Sequence, residues 1–94
     1  MENIKVAMKA DGNNFVSDAV KLNHRNLLLL FECIAGANVS LQFSDDKERW
    51  IGDPESEMAA DEGLNGLSYS NAHAGAFVRV LADSELSNVT LTLS

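Results

Sequence analysis

Five carboxylates that lie close together in the sequence are the first residues of this chain with a capacity for chemistry. They are Asp45, Asp46, Asp53, Glu55 and Glu57. Carboxylate oxygens are ligands that Ca²⁺ prefers in proteins. The spacing lacks the alternating ligands and the central glycine of an EF-hand loop. Carboxylates on the turns of an acidic domain are usually solvated, so the sequence predicts exposed turns and no metal site.

The imidazoles and the thiol offer a second kind of chemistry. His24 and His73 are the two histidines, and neither lies at zinc-ligand spacing from the other or from Cys33, the single cysteine. Cys33 lies in an apolar segment, which is typical of a buried, unreactive thiol. The sequence also lacks a nucleophile elbow and a glycine-rich phosphate loop. These patterns predict a protein that is not an enzyme and binds no cofactor.

The aromatic residues Trp50, Tyr69 and Phe77 leave two hypotheses open. On one exposed face they would form a platform that stacks on a sugar ring, as in sandwich-type carbohydrate-binding modules. In so small a domain, aromatic side chains more often belong to the core. The sequence favours the core, and a carbohydrate-binding or adhesin-like module is the alternative function.

Length and charge limit the classes of partner. A chain of 94 residues predicts one domain, residues 1–94. Fourteen acidic and seven basic residues give a formal charge of −7, which opposes binding to nucleic acid phosphates and to anionic lipids. The basic residues are scattered along the sequence, which predicts no basic patch. We therefore expect no nucleic acid partner and no membrane partner.

Two further features concern location and assembly. The first residues, MENIKVAMKADGNN, lack the continuous apolar stretch of a signal peptide, which predicts synthesis in the cytoplasm. The longest apolar run, Leu27 to Phe31, is far shorter than the roughly 20 residues that span a bilayer. Because so small a domain has a thin core, we expect a homo-oligomer, either a dimer or a trimer, or a larger assembly.

Alternation of apolar and polar residues predicts an all-β fold. At the C-terminus, Val89, Leu91 and Leu93 share one face of a strand while threonines occupy the other. The same alternation marks residues 38–44 and 76–82. The pattern predicts a small antiparallel β-sandwich or jelly-roll-like barrel with six to eight short strands.

Three segments are harder to interpret. Residues 15–22 fit either a strand or a short helix, and we favour the strand. Residues 25–34 are apolar on both faces, which predicts a central strand or an edge strand that a partner covers. The acidic segment from residue 52 to residue 63 predicts an exposed loop or one helical turn.

Three stretches together resemble a pattern found in small virion proteins of tailed phages. In that group a strand, a turn and a tryptophan precede a strand with a Gly-x-x-Val-Arg element, and the chain stops after an alternating strand. The corresponding stretches are Val39–Trp50 (VSLQFSDDKERW), Gly75–Leu81 (GAFVRVL) and Val89–Leu93 (VTLTL). The likeness covers residues 39–94. In this part the chain resembles capsid decoration, or cement, proteins and head fibres with a β-sandwich fold.

The resemblance implies a structural function on the exterior of a phage capsid. Copies made in the host cytoplasm would bind neighbouring major capsid subunits and strengthen the shell, with the acidic loop Asp53 to Glu62 facing solvent or a basic patch. A cytosolic regulator that presents its acidic face to a basic partner stays open as a further hypothesis. The candidate contact residues lie in the N-terminal strand, through edge-strand pairing, and in the apolar run: Ile4, Val6, Met8, Leu28 and Leu30.

Overall fold

The computed structural model describes residues 1–70 and 72–94, and in this part of the chain it contains eleven strands and no α-helix. A single turn of 3-10 helix, Pro54–Ser56, lies between the seventh and eighth strands. In chain order the strands are β1 (Glu2–Lys5), β2 (Met8–Asp11), β3 (Asn14–Ser17), β4 (Val20–Lys21), β5 (Leu27–Cys33), β6 (Ala37–Ser44), β7 (Ile51–Gly52), β8 (Met58–Ala60), β9 (Gly63–Tyr69), β10 (Phe77–Ala82) and β11 (Leu86–Leu93).

These strands form two antiparallel sheets. The smaller sheet has the order β1-β11-β5-β9. The larger sheet has the order β2-β3-β10-β6-β7, with β4 also paired to β10 and β8 also paired to β6. Every pairing between these strands is antiparallel. The predicted all-β antiparallel sandwich is confirmed.

One apolar core joins the two sheets, because alternate side chains of each strand point inward. Val89, Leu91 and Leu93 are almost fully buried, as their alternation predicts. The same holds for the inward positions of β6 and β10. The largest fully buried apolar side chains come from both sheets and from the β4–β5 connection: Leu22, Leu29, Phe31, Leu41, Leu91 and Leu93.

The strand number exceeds the six to eight expected because three runs of chain are each divided by a short break. β1 and β2 form one run that passes from the smaller sheet to the larger one. β3 and β4 both pair with β10, and β7 and β8 both pair with β6. Counted as runs, the strands of the described chain number eight. The strand interpretation of residues 15–22 is confirmed, with a break at residues 18–19.

A buried serine hydroxyl bridges each of the two breaks in the larger sheet. At the break between β3 and β4, Ser17 Oγ accepts the N–H of Val80 at 2.8 Å. At the break between β7 and β8, Ser56 Oγ accepts the N–H of Leu41 at 3.0 Å and donates to the Asp53 carbonyl at 2.6 Å. The inner strands therefore keep their hydrogen bonds where the neighbouring backbone moves away.

Replacing Ser56 with alanine is expected to lower the free energy of unfolding by about 1–3 kcal/mol, because it removes the partner of a buried backbone N–H. Urea denaturation measures the loss. Ser68→Ala, at an exposed strand position, is the matched control and should change stability by about 0.5 kcal/mol or less. Equal stability of the two variants would contradict a bridging role for the Ser56 hydroxyl.

The acidic segment Asp53–Glu62 contains more regular structure than its composition predicts. The 3-10 turn agrees with the helical turn that was expected, but Met58–Ala60 form β8 and pair with Ala37–Val39 of β6. The prediction of loop or helix for these three residues is wrong. Met and Ala favour helices by propensity, but hydrogen bonding to the open edge of β6 prevails over that preference.

Candidate functional site

The apolar run in β5 divides its side chains between the core and the molecular surface. Leu27, Leu29 and Phe31 are buried, whereas 38% of Leu28 and 36% of Leu30 is exposed. β5 lies between β11 and β9, so its central position is confirmed. No residue within 1–70 or 72–94 covers its outer face, although the sequence indicated contact on both faces. Two adjacent leucines therefore lie open to solvent in the middle of a sheet.

Strand register places small and uncharged side chains around these two leucines. Leu30 lies between Thr90 of β11 and Gly66 of β9. Leu28 lies between Thr92 and Ser68 in the same way. We call this surface the leucine face, and its residues are Asn3, Lys5, Leu28, Leu30, Glu32, Leu64, Gly66, Ser68, Thr90 and Thr92.

Gly66 determines how closely Leu30 packs against the sheet. A Cβ atom at this position would lie 3.0 Å from Leu30 Cδ2, tighter than ordinary van der Waals contact. The glycine therefore allows the leucine side chain to lie over the neighbouring strand.

Charge is sparse on the leucine face. Its two ionisable members are Lys5, at the edge strand, and Glu32, which lies opposite Leu64 at the end of the face. The polar groups within it are hydroxyls and amides, such as Thr92 Oγ1, which donates to Asn3 Oδ1 at 2.7 Å. Such a surface offers apolar area and short hydrogen-bonding groups to a partner.

The other predicted contact residues do not join the leucine face. Ile4, Val6 and Met8 are half-buried and pack against the core. Ile4 belongs to the smaller sheet and Met8 to the larger one, because the chain changes sheet between them. In this N-terminal segment, the backbone edges of β1 and β2, and not the three apolar side chains, are available for pairing with a partner strand.

The loop after β6 uses its carboxylates to hold a turn. Asp46 Oδ1 accepts the N–H groups of Glu48 and Arg49, each at 2.9 Å, and Asp46 Oδ2 accepts Nε of Arg49 at 2.9 Å. These hydrogen bonds keep the pKa of Asp46 far below its usual value, and the N–H of Arg49 contributes most. Among the described residues no group of His, Cys, Asp and Glu is arranged to hold a metal ion.

Asp53 has a comparable structural position at the start of the 3-10 turn. Its Oδ1 accepts the N–H of Glu55 at 2.9 Å, and its Oδ2 accepts the hydroxyl of Tyr69. The bond from Tyr69 is the main reason that the pKa of Asp53 lies below its usual value. Tyr69 is 8% exposed, so Tyr69 and Trp50 do not share an exposed face. The carbohydrate platform considered from the sequence is therefore not assembled.

Titration of the single tyrosine tests this contact. Burial, together with the bond to Asp53, raises the pKa of Tyr69 to about 12, against about 10 in an unfolded chain. The folded state holds this proton more tightly, so its contribution to stability is complete below about pH 10 and is lost as the pH rises through 12. Ultraviolet absorbance should give a midpoint near 12 while circular dichroism reports a folded chain.

Asp53→Asn is the matched variant, because the amide keeps the size of the side chain and removes its charge. The midpoint of Tyr69 should then move toward that of an unperturbed tyrosine. A midpoint of about 10 in the folded wild-type chain would contradict the buried Tyr69–Asp53 contact.

Cys33 is buried, as predicted. Its thiol donates to the Asp61 carbonyl at 2.9 Å. This contact ties β5 to the connection that leads into β9. The thiol lies on the core side of the sheet, away from the leucine face.

Trp50 and Phe77 lie half-buried on the outer face of the larger sheet, and cations lie over their rings. The guanidinium of Arg79 lies 4.3 Å from the Trp50 ring, and Lys47 Nζ lies 4.7 Å from the Phe77 ring. Lys21 Nζ lies 5.8 Å from the same phenyl ring. The prediction that basic residues form no local patch is therefore wrong for these three.

Comparison of the chain with protein-family models, with curated proteins and with solved structures finds no match. The functional conclusion therefore depends on the surfaces of this chain. A search of the described residues for a helix long and apolar enough to cross a membrane finds none.

Sequence reasoning identified the two central leucines and missed their neighbours. Thr90 and Thr92 carried a signal, since their alternation placed them outside the core. Gly66 and Ser68 carried none, because only the register of β9 against β5 brings them beside Leu30 and Leu28. A surface made from four strands that are distant in sequence depends on pairing that composition does not specify.

Proposed function

We propose that this chain is a structural attachment protein that binds a protein lattice through the leucine face. The observation that carries the proposal is the exposure of Leu28 and Leu30 at the centre of a sparsely charged sheet face. In a chain with a formal charge of −7, a broad surface whose one carboxylate, that of Glu32, lies at its end is suited to close contact with another protein. Apolar side chains surrounded by threonine, serine and glycine bury area at low desolvation cost.

The lattice that we propose is the outer surface of a tailed-phage capsid, built from the major capsid protein. The resemblance of residues 39–94 to capsid decoration proteins supports this choice. Repeated subunits give repeated contacts, so a small domain with one modest interface per copy can still strengthen the shell. Copies would be made in the host cytoplasm and would remain on the virion exterior.

The proposed role is binding without catalysis, and it needs no metal or cofactor. The ordered carboxylates Asp46 and Asp53 already accept hydrogen bonds within the chain. The alternative of a sugar-binding module loses support because Tyr69 is buried and cations cover the rings of Trp50 and Phe77.

Co-sedimentation tests the proposal. Shells assembled from the major capsid protein of the same genome, and lacking this chain, are mixed with increasing amounts of the purified chain. Saturable binding with a fixed ratio of copies to capsid subunits, and a higher melting temperature of the decorated shell, are expected. A chain that does not pellet with shells at concentrations of about 100 μM would contradict the proposal.

A further inference from the structure

Three basic residues converge on the outer face of the larger sheet. Lys21 and Lys47 lie over the ring of Phe77, and Arg79 stacks on Trp50. Among the described residues, none of these three cations has a carboxylate oxygen within 4.0 Å. Nε of Arg79 donates to Gln42 at 2.8 Å, which leaves the terminal nitrogens available to a partner. We call this group of residues the basic end.

The other end of the same face is acidic. Glu57 and Asp83 line a shallow groove of about 470 Å³ together with Asn38, Ser40 and Leu81. Asp83 accepts the backbone N–H and the side-chain amide of Asn38, each at 2.8 Å. Both bonds lower the pKa of Asp83, and the backbone N–H contributes most. We call this region the acidic groove, and it is negatively charged at neutral pH.

The basic end and the acidic groove are separated from each other along the direction of the strands of the larger sheet. Arg79 and Asp83 are four positions apart along β10 and its continuation, which corresponds to about 14 Å in an extended chain. That distance exceeds the Debye length of about 8 Å at physiological salt, so Asp83 is largely screened from Arg79. Asp45 and Asp46, which flank Lys47, pair with Arg49. The face therefore has an excess of cations at one end and of carboxylates at the other.

We propose that a second copy of this chain binds this face. A two-fold rotation turns the partner so that the basic end of each copy lies over the acidic groove of the other. Opposite charges then meet twice in one interface, and the same patch is used by both copies. Such an interface closes after two copies and forms a dimer, not a filament.

Charge complementarity favours a second copy over a nucleic acid. A duplex presents one negative charge for about every 1.7 Å of its axis, which would place phosphates over the acidic groove as well as over the basic end. A second copy presents cations to the groove and carboxylates to the basic end. The net repulsion between two copies of charge −7 is screened over distances greater than about 8 Å, whereas contacts at the interface are not.

This dimer leaves the leucine face open, because that surface belongs to the other sheet. One dimer would then present two leucine faces on opposite sides. The inference therefore stands apart from the shell-binding proposal, and different assays test the two.

Sedimentation equilibrium in low and high salt tests the dimer. The wild-type chain should be dimeric at about 50 mM salt, and its dimer dissociation constant should rise at least about 10-fold at 0.5 M, where the Debye length is about one third as long. Lys21→Glu with Lys47→Glu should produce a monomer at both salt concentrations. The matched control Lys5→Glu with Arg25→Glu makes the same change in net charge away from the basic end and should remain dimeric.

Mixing two variants gives a sharper result. Glu57→Lys alone should be monomeric, because cations then face cations. A mixture of Glu57→Lys with the Lys21→Glu, Lys47→Glu variant should form a heterodimer, since the reversed charges complement each other. Recovery on mixing also establishes that both variants are folded.

Three results would overturn the proposal. They are a wild-type chain that is monomeric at low salt, a dimer that survives the Lys21→Glu, Lys47→Glu change, and an absence of heterodimer in the mixture.

Discussion

Replacing Leu28 and Leu30 together with threonine is expected to weaken binding to capsid shells by about 30- to 150-fold. Each leucine exposes more than a third of its surface in the free chain, and burying that area against a partner contributes about 1–1.5 kcal/mol per leucine. Threonine has the β-branched shape that strands favour and removes most of the apolar area. Co-sedimentation across a concentration series measures the change.

The matched control places the same substitution on apolar residues outside the leucine face. Ile34 and Ile51 are 86% and 66% exposed, and Ile34→Thr with Ile51→Thr should leave shell binding unchanged. Thermal unfolding of both double variants confirms that each is folded. Equal weakening by the two double variants would indicate non-specific apolar adhesion and would contradict a defined docking surface.

Truncating Leu29 to alanine is expected to lower the free energy of unfolding by about 2–5 kcal/mol, because it removes a fully buried side chain and leaves a cavity. For a domain of this size that loss corresponds to a fall in Tm of about 10–20 °C or more. Thermal unfolding followed by circular dichroism measures the change. Shell binding at a temperature where the variant is folded should be retained.

Leu30→Ala is the control, since Leu29 and Leu30 are adjacent in β5 and face opposite sides of the sheet. It should destabilise the chain by about 1 kcal/mol or less. The two substitutions therefore separate folding from binding. Similar losses of stability from both would mean that the outer face of β5 is also buried and would exclude it as a docking surface.

The apolar run from Leu27 to Phe31 shows what the alternation of residues in a sequence cannot predict. Alternation alone assigns an inward face to Val89, Leu91 and Leu93, because each apolar residue is followed by a polar one. Leu27 to Phe31 offers no such contrast, so alternation of apolar and polar residues does not support the choice of Leu28 and Leu30 as contact residues. Which side chains face outward is set by the register of β5 against β11 and β9, which depends on residues far along the chain.

The N-terminal strand illustrates a second limit. Ile4, Val6 and Met8 have the regular alternation of one strand, yet the chain leaves the smaller sheet after Lys5 and enters the larger sheet at Met8. The hydrogen bond from the N–H of Val6 to the carbonyl of Val89, at 3.1 Å, holds the crossing. Local pattern predicts a strand, whereas the choice of sheet is made by its neighbours.

The basic end was hidden from sequence reasoning for a similar reason. Lys21, Lys47 and Arg79 belong to β4, to the loop after β6 and to β10, so they are distant in the sequence. Antiparallel pairing of Phe77 with Lys21 and with Ser44 brings these elements together. Residues that are far apart in the sequence of a β-sandwich can lie close together in space.

A cryo-electron microscopy reconstruction of shells saturated with this chain tests the central claim most directly. The account predicts that the smaller sheet faces the capsid, with Leu28 and Leu30 of β5 in contact with capsid subunits and the larger sheet turned away from the shell. A reconstruction in which the larger sheet or a strand edge touches the capsid, with the leucine face left in solvent, would contradict it.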